Sequence, residues 1–295
     1  MAQIGVGIIG FGNVGTGTAK NLVEKSKMYR ERYGLDVRLR AVCDIDVERQ
    51  RPFRIDRKLM TSNVASVLSD PRTHIVVETV GGTTAAKDIV LEAIAARKHV
   101  VTANKALLAT HGRAIFRAAR KAQRLVRFEG AIGSGMPVVQ VVSEGLRANH
   151  ITSISGILNG TSNFVLSRMA NEGMGLTKAV KIAQQEGYAE FDPALDLSGE
   201  DAAHKIALLA TLAYGKWCDF SEIPVEGIMQ IMPADIAAAK QLGCRVKLVA
   251  SAREDEDGTF DVRVAPALVP LEHHLAQVEG AFNAVEVDGD FAWKS

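Results

Sequence analysis

The chain has 295 residues, enough for about two domains and a sizeable core. Its 35 basic and 34 acidic side chains leave a formal charge of +1, so nothing in the total charge asks for nucleic acid or a membrane surface. At 47% hydrophobic it has an ordinary soluble composition, with no run of about 18 uncharged apolar residues to span a bilayer and no secretory signal at its start.

The three cysteines, Cys43, Cys218 and Cys244, are odd in number and far apart, as expected of reduced cytoplasmic thiols. No CxxC or Cys/His cluster suggests zinc, and the adjacent pair His273–His274 reads as a surface feature.

Ile4–Ile9 reads as a strand, followed by a glycine turn and a helix. Gly10, Gly12 and Gly15 match the GxGxxG dinucleotide fingerprint. The first glycine permits the tight turn, the second lets a pyrophosphate approach, and the third lets helix pack on strand. A purely structural turn is the plain alternative. Val37–Val42 alternates as a second strand and ends at Asp44, an acid placed to meet the adenosine ribose hydroxyls and favour NAD over NADP. The polar insert KSKMYRERYGLD lengthens the first helix or its loop, and Arg49, Arg51 and Arg54 could instead meet a phosphate.

Strand and helix then alternate. Ile75–Thr79, His99–Thr102 and Leu125–Phe128 are predicted strands, with helices over Thr83–Arg97 and Gly112–Gln123. This rhythm implies a mostly parallel, Rossmann-type sheet with ligands beyond the carboxyl ends of its strands. That rule selects Gly10–Gly15, Asp44, Val80–Gly82 and the predicted loop Ala103-Asn104-Lys105, where Lys105 is either an active-site lysine or a surface one.

From Glu129 the pattern changes. EGAIGSGMPVVQ reads as a glycine-rich crossover before a helix over Val138–Leu146, although its exposed carbonyls with Glu129 could hold a monovalent cation. The domains are therefore set at residues 1–130 and 131–295. Ile151–Leu158 is a strand, and Asn159–Asn163 gathers amides and hydroxyls before a helix over Phe164–Asn171, as a carboxylate cradle or as ordinary caps. Thr177–Gln185 is a further helix.

Gly187–Lys205 (GYAEFDPALDLSGEDAAHK) concentrates Glu190, Asp192, Asp196, Glu200, Asp201 and Lys205. Its first part reads as an irregular loop, and a helix begins near Ser198 or Gly199 with Ile206, Leu209 and Ala213 as an apolar stripe. Ser198 with Asp201 could form a capping-box variant. Asp201 and Lys205 share a helix face, which by itself is the signature of a solvated surface pair. Short strands follow at Val225–Gly227, Val246–Ala252, Phe260–Ala267 and Phe282–Val287, with EDEDG as a hairpin-like loop. The class is therefore α/β, a Rossmann-type dinucleotide-binding domain plus a second α/β domain with a mixed or antiparallel sheet.

Taken together, GFGNVG at Gly10–Gly15, TANKALLA at Thr102–Ala109, EGAIGSGMPV at Glu129–Val138, GILNGTSNF at Gly156–Phe164 and GYAEFDPALDLSGEDAAHK at Gly187–Lys205 resemble homoserine dehydrogenase, in the family's order and spacing. GAFNAV at Gly280–Val285 resembles a late strand of that family. The resemblance implies reversible NAD- or NADP-dependent interconversion of L-homoserine and L-aspartate 4-semialdehyde, on the route to threonine and methionine. It implies catalytic roles for Lys205, the proton donor, Lys105, a second active-site lysine, and Asp201. It implies substrate contacts from Glu190, which would grip the substrate ammonium, and from Asp196, Tyr188 and Thr161. The cofactor set becomes Gly10, Phe11, Gly12, Asn13, Val14, Gly15, Asp44, Lys105 and Gly187. A sodium-like ion would be held by Glu129 and the carbonyls of Ile132, Ser134 and Met136, in place of the plain crossover. A cytoplasmic homodimer or higher homo-oligomer is expected, without nucleic acid or membrane.

The sequence stops at Ser295, before a final glycine-rich segment and helix of relatives, so the C-terminal part of the family pattern is expected to be missing. No regulatory ACT or aspartokinase segment is legible. Arginine near the Cys43 position marks relatives that accept NADP, and Cys43-Asp44 departs from that. Two rivals are another two-domain NAD(P)-dependent dehydrogenase of a small polar alcohol, with Lys105 as its acid, and a non-catalytic NAD-binding regulator.

Overall fold

A computed structural model describes residues 3–133, 135–255 and 257–291. The chain divides into two compact units, Met1–Ser134 and Gly135–Ser295.

The first unit alternates strands and helices: β1 (Gln3–Ile9), α1 (Asn13–Glu24), α2 (Ser26–Tyr33), β2 (Asp36–Cys43), β3 (Met60–Thr61), α3 (Val64–Ser69), β4 (Ile75–Glu78), α4 (Thr84–Ala95), β5 (His99–Thr102), α5 (Lys105–Ala122), β6 (Val126–Arg127) and the short α6 (Glu129–Ile132). The sheet order is β3-β2-β1-β4-β5-β6 and every pairing is parallel. Val6, Ile8, Val42 and Val76 are almost wholly buried, as a parallel sheet covered on both faces demands. The order reverses between β1 and β4, and the carboxyl ends of those strands flank the crevice where open α/β sheets bind ligands.

Two expectations are corrected here. The polar insert forms a separate helix, α2, because Lys25 ends α1 and Gly34 caps α2 in the left-handed region at φ 67°. The helix expected from Gly112 begins at Lys105: the Asn104 side chain accepts from Leu107 N at 3.0 Å and caps it, so Lys105 is its first residue rather than part of a loop.

The second unit comprises α7 (Val138–Gln140), which runs into a wide π-turn at Val141–Gly145, then β7 (Ile151–Ile157), α8 (Gly160–Glu172), α9 (Leu176–Gln185), α10 (Ala194–Leu197), α11 (Glu200–Tyr214), α12 (Pro233–Gln241), β8 (Cys244–Glu254), β9 (Phe260–Pro270) and β10 (Ala284–Gly289). Its sheet, β10-β7-β8-β9, is antiparallel throughout, and α8 and α11 pack against it. The hairpin between β8 and β9 lies at the expected EDEDG loop, of which Glu256 is outside the described residues.

Here too the sequence reading needs amendment. Val225 makes a single parallel bridge to Val264 and forms no strand. Residues 233–241 form a helix opened by Pro233, and 194–197 a short one inside the expected loop. The late strand starts at Ala284 rather than Phe282. Most consequential, α11 carries no narrow stripe: Asp201 to Ala210 are all buried, so the helix is central rather than superficial.

Lys247 on β8 is 1% exposed. Its Nζ donates to Asn163 Oδ1 at 3.0 Å and to the Val278 carbonyl, while Asn163 Nδ2 donates to the carbonyls of Val278, Gly280 and Phe282. Burial, with the nearby Arg245 charge, pushes its pKa down to about 8. A neutral amine still has two N–H groups for those two acceptors. Above that value and up to the ordinary lysine value of 10.5, only the unfolded chain binds the proton, so the folded state gains as pH rises. The destabilisation caused by Lys247→Met, from urea unfolding, will therefore be larger at about pH 9.5 than at about pH 7. A cost that is equal or smaller at the higher pH would contradict the assignment.

Candidate active site

At the end of β1 the backbone turns through Gly10, whose φ of 97° suits only glycine and whose added Cβ would lie 2.5 Å from the Thr79 carbonyl carbon and oxygen. Gly15 is fixed by packing, since a Cβ there would meet Gly10 O at 2.0 Å. Gly12 faces open space, with nothing within 4 Å of an added Cβ. It is also the N-cap of α1 and supplies no side-chain cap, so no side chain caps the first-turn N–H groups, which include those of Asn13, Val14 and Gly15. A pyrophosphate fits both features: room over Gly12 and uncapped donors at a helix N-terminus.

Asp44 follows β2. Its Oδ2 accepts from Phe11 N at 2.6 Å and its Oδ1 from Asp46 N at 2.9 Å, and Arg51 lies 3.2 Å from Oδ1. Burial opposes its charge, but those two N–H groups and the Arg51 guanidinium more than offset that and hold its pKa below the ordinary value. Arg51 is drawn inward, with its side chain 7% exposed and its guanidinium 4.9 Å over the Phe11 ring.

The ends of β4 and β5 are tied by Glu78, a carboxylate with no exposure. It accepts from Thr102 Oγ1 at 2.6 Å and Val80 N at 2.8 Å, while Asn104 Nδ2 donates to Gly82 O at 2.7 Å. This network fixes the turn from which Lys105 opens α5. Glu78 was missed, although an acid inside the apolar run IVVET is a signal, because lone carboxylates are rarely buried without partners.

In the second unit a buried cluster gathers at the end of β7. Lys205 Nζ donates to Leu158 O at 2.6 Å and pairs with Asp201 Oδ2 at 2.8 Å. Asn159 Nδ2 bridges Asp201 Oδ2 at 2.9 Å and Asp196 Oδ1 at 2.7 Å, while its Oδ1 caps α8 by accepting from Ser162 N. Thr161 Oγ1 donates to Tyr188 O at 2.7 Å, and the Tyr188 ring tilts against Phe164 with centroids 4.8 Å apart. Hydrogen bonds thus join Asp196, Asp201 and Lys205 through Asn159, and the first turn of α8 also carries Thr161 with its bond to Tyr188. Glu190 and Gly187 stand on the exposed loop after α9, Gly187 at φ 80°.

Asn159 is the residue that sequence reasoning underused. It was read only as cradle or cap, and the carboxylate cradle is corrected: α8 begins at Gly160, and the side chains of Asn159, Thr161, Ser162 and Asn163 are buried and bonded to protein groups. Ser198 is likewise no N-cap. Gly199 takes that position at φ 86° without a side-chain cap bond. Of the expected cation ligands, Glu129 is the first residue of α6 and Ile132 its last, Met136 lies in the turn before α7, and Ser134 is outside the described residues.

The fold and these turns define a two-domain α/β protein whose first domain is of the NAD-binding Rossmann class. Residues 10–129 match the family described as homoserine dehydrogenase, NAD binding domain, and residues 137–294 match homoserine dehydrogenase. The chain is 42% identical over 292 residues to homoserine dehydrogenase of Pseudomonas aeruginosa and 41% over 290 to that of Neisseria gonorrhoeae, in each case with 98% of this chain aligned. It spans 66% of those relatives' length. The crystal structure of a homoserine dehydrogenase from Thiobacillus denitrificans superposes with a TM-score of 0.93 at 39% identity, over 100% of this chain and 68% of that one. The chain belongs to the homoserine dehydrogenase family.

Replacing Asn159 by Ala removes a helix cap of about 1 kcal/mol and two charge-assisted hydrogen bonds, to Asp201 and Asp196, of about 1.5–3 kcal/mol each. Urea unfolding of Asn159→Ala should show a loss of at least about 3 kcal/mol. A loss below about 0.5 kcal/mol, the level of an ordinary surface change, would show that the bridge does not form.

Proposed function

We propose that this chain carries out the reversible interconversion of L-homoserine and L-aspartate 4-semialdehyde with NAD or NADP, a step toward threonine and methionine. The observation that carries this reading is Lys205: a buried ammonium whose donors to Leu158 O and Asp201 leave a third for a ligand oxygen. When bound, the nicotinamide supplies or accepts the hydride. Lys205 donates a hydrogen bond to the aldehyde oxygen, stabilises negative charge developing there and gives it a proton. In the oxidative direction it takes that proton back. Asp201 holds the ammonium in place, and Asn159 holds Asp201.

In this reading the exposed carboxylate of Glu190 binds the substrate ammonium, and Asp196, Tyr188 and Thr161 shape the substrate pocket. Lys105 acts as a second lysine at the carboxyl end of β5. Gly10–Gly15 cradle the pyrophosphate, Asp44 meets the ribose, and Gly187 approaches the cofactor. Glu129 with the carbonyls of Ile132, Ser134 and Met136 is an all-oxygen set suited to a hard monovalent cation. The functional domain boundary is placed at residues 130–131, four residues before the division between the two compact units. The working protein is a cytoplasmic homodimer or higher homo-oligomer. Cys43 and Cys218, buried and unpaired, suit a reducing compartment, and among the described residues no helix is long and apolar enough to cross a membrane.

The test is nicotinamide reduction with L-homoserine, run with NAD and with NADP. Lys205→Ala should lower kcat by about 10²–10⁴-fold, the range of positioned acid–base catalysis. Near-normal turnover in that variant would remove Lys205 from its role, and no homoserine oxidation with either cofactor would overturn the reading.

A further inference from the structure

Glu190 grips an ammonium best if its carboxylate is already in place when the substrate arrives. The chain that carries it has little stiffness of its own. Residues 190–193 form neither helix nor strand, and Gly187, at φ 80°, opens the stretch. Burial does not hold it either, since Phe191, next in the chain, is 99% exposed.

Side chains from two helices do hold it. Before Glu190, Thr161 Oγ1 donates to Tyr188 O at 2.7 Å. After it, Gln184 Nε2 donates to Glu190 O at 3.2 Å and to Phe191 O at 3.1 Å. A side-chain amide has two N–H groups, one for each of these carbonyls. The two bonds fix the peptide planes that follow Glu190 and Phe191, and with them the direction in which the Glu190 side chain leaves the backbone. Among the described residues, the backbone of Glu190 and of Phe191 makes no other hydrogen bond.

Gln184 itself has a firm base. It lies in the last turn of α9, beside the fully buried Ala183. The Ala183 carbonyl accepts from Tyr188 N at 2.8 Å and Ala189 N at 3.1 Å, which folds the chain back onto the helix end. Arg168 on α8 pairs with Glu186 just after α9 and lies 5.1 Å over the Phe164 ring, against which Tyr188 packs. The end of α9 is thus tied down, and Gln184 is the arm that reaches from it to the loop. Lys205 is held by a different set, Asp201 and Leu158 O.

We propose that Gln184 is a positioning residue for substrate binding: its amide aims the Glu190 carboxylate at the substrate ammonium. It acts through Glu190 and touches no substrate. This rests on the reading of Glu190 as the ammonium ligand.

Steady-state oxidation of L-homoserine at saturating cofactor tests it. Gln184→Ala should raise KM for homoserine about 5–30-fold, the effect of about two ordinary hydrogen bonds, and change kcat by less than about threefold. A side chain that only stabilised the fold would change the amount of active enzyme and leave KM alone. Glu190→Gln should raise KM as well. In that background Gln184→Ala should change KM by less than about twofold, because the charge it aims is gone.

An unchanged KM in Gln184→Ala, or a factor that persists in full in the Glu190→Gln background, overturns the proposal. If Gln184→Ala does not fold, Gln184→Met keeps the length of the side chain and a good helix former without the N–H groups, and the same two readouts decide. An unchanged KM in Glu190→Gln would instead remove Glu190 as the ammonium ligand. Failure of the wild type to oxidise homoserine would bring down the functional reading itself, and the proposal falls with either.

Discussion

The second unit is arranged around one costly feature, the ion pair of Lys205 and Asp201 inside a helix that is buried on every side. Removing two charges from water costs several kcal/mol per ion, and their attraction offsets that only where the remaining donors and acceptors are also met. The end of β7 meets them. Leu158 supplies a carbonyl to the ammonium, and Asn159 supplies a side-chain N–H to the carboxylate. Two neighbouring residues at one strand end thus satisfy both members of the pair, and the same asparagine starts α8. The strand end, the helix start and the lysine cannot move independently.

The nucleotide end of the first unit follows a similar logic with different groups. Backbone N–H groups and an arginine surround Asp44, while buried Glu78 is satisfied by Thr102 and Val80. In both places a carboxylate holds a turn at the carboxyl end of a strand. Rigid turns of this kind suit a binding site, because groups already fixed in place lose little freedom when a ligand arrives.

Much of this was legible in the sequence, and the part that was not has physical causes. The parallel sheet was readable because each strand is a short apolar run ended by a glycine or polar turn, and β1 with its glycines is the clearest case. The start of α5 was missed because Asn104 looks like a loop residue until its side chain is seen capping Leu107. The Asp201–Lys205 pair was visible as spacing, but spacing cannot separate a solvated pair from a buried one. Only the packing of Asp201–Ala210 between sheet and helices does that. The cradle at Asn159–Asn163 was misread for a related reason. The residue types permit ligand contact, but long-range partners such as Asp196 and Val278 take up their hydrogen bonds.

The central claim is that Lys205 is a fixed, buried ammonium held by Asp201 and Leu158. Proton-detected NMR of protein labelled with ¹⁵N at lysine Nζ tests this most directly. The account predicts a slowly exchanging ammonium resonance that vanishes in Lys205→Met and is lost or shifted in Asp201→Asn. A Lys205 ammonium that exchanges as fast as the surface lysines, and is indifferent to Asp201→Asn, would contradict it.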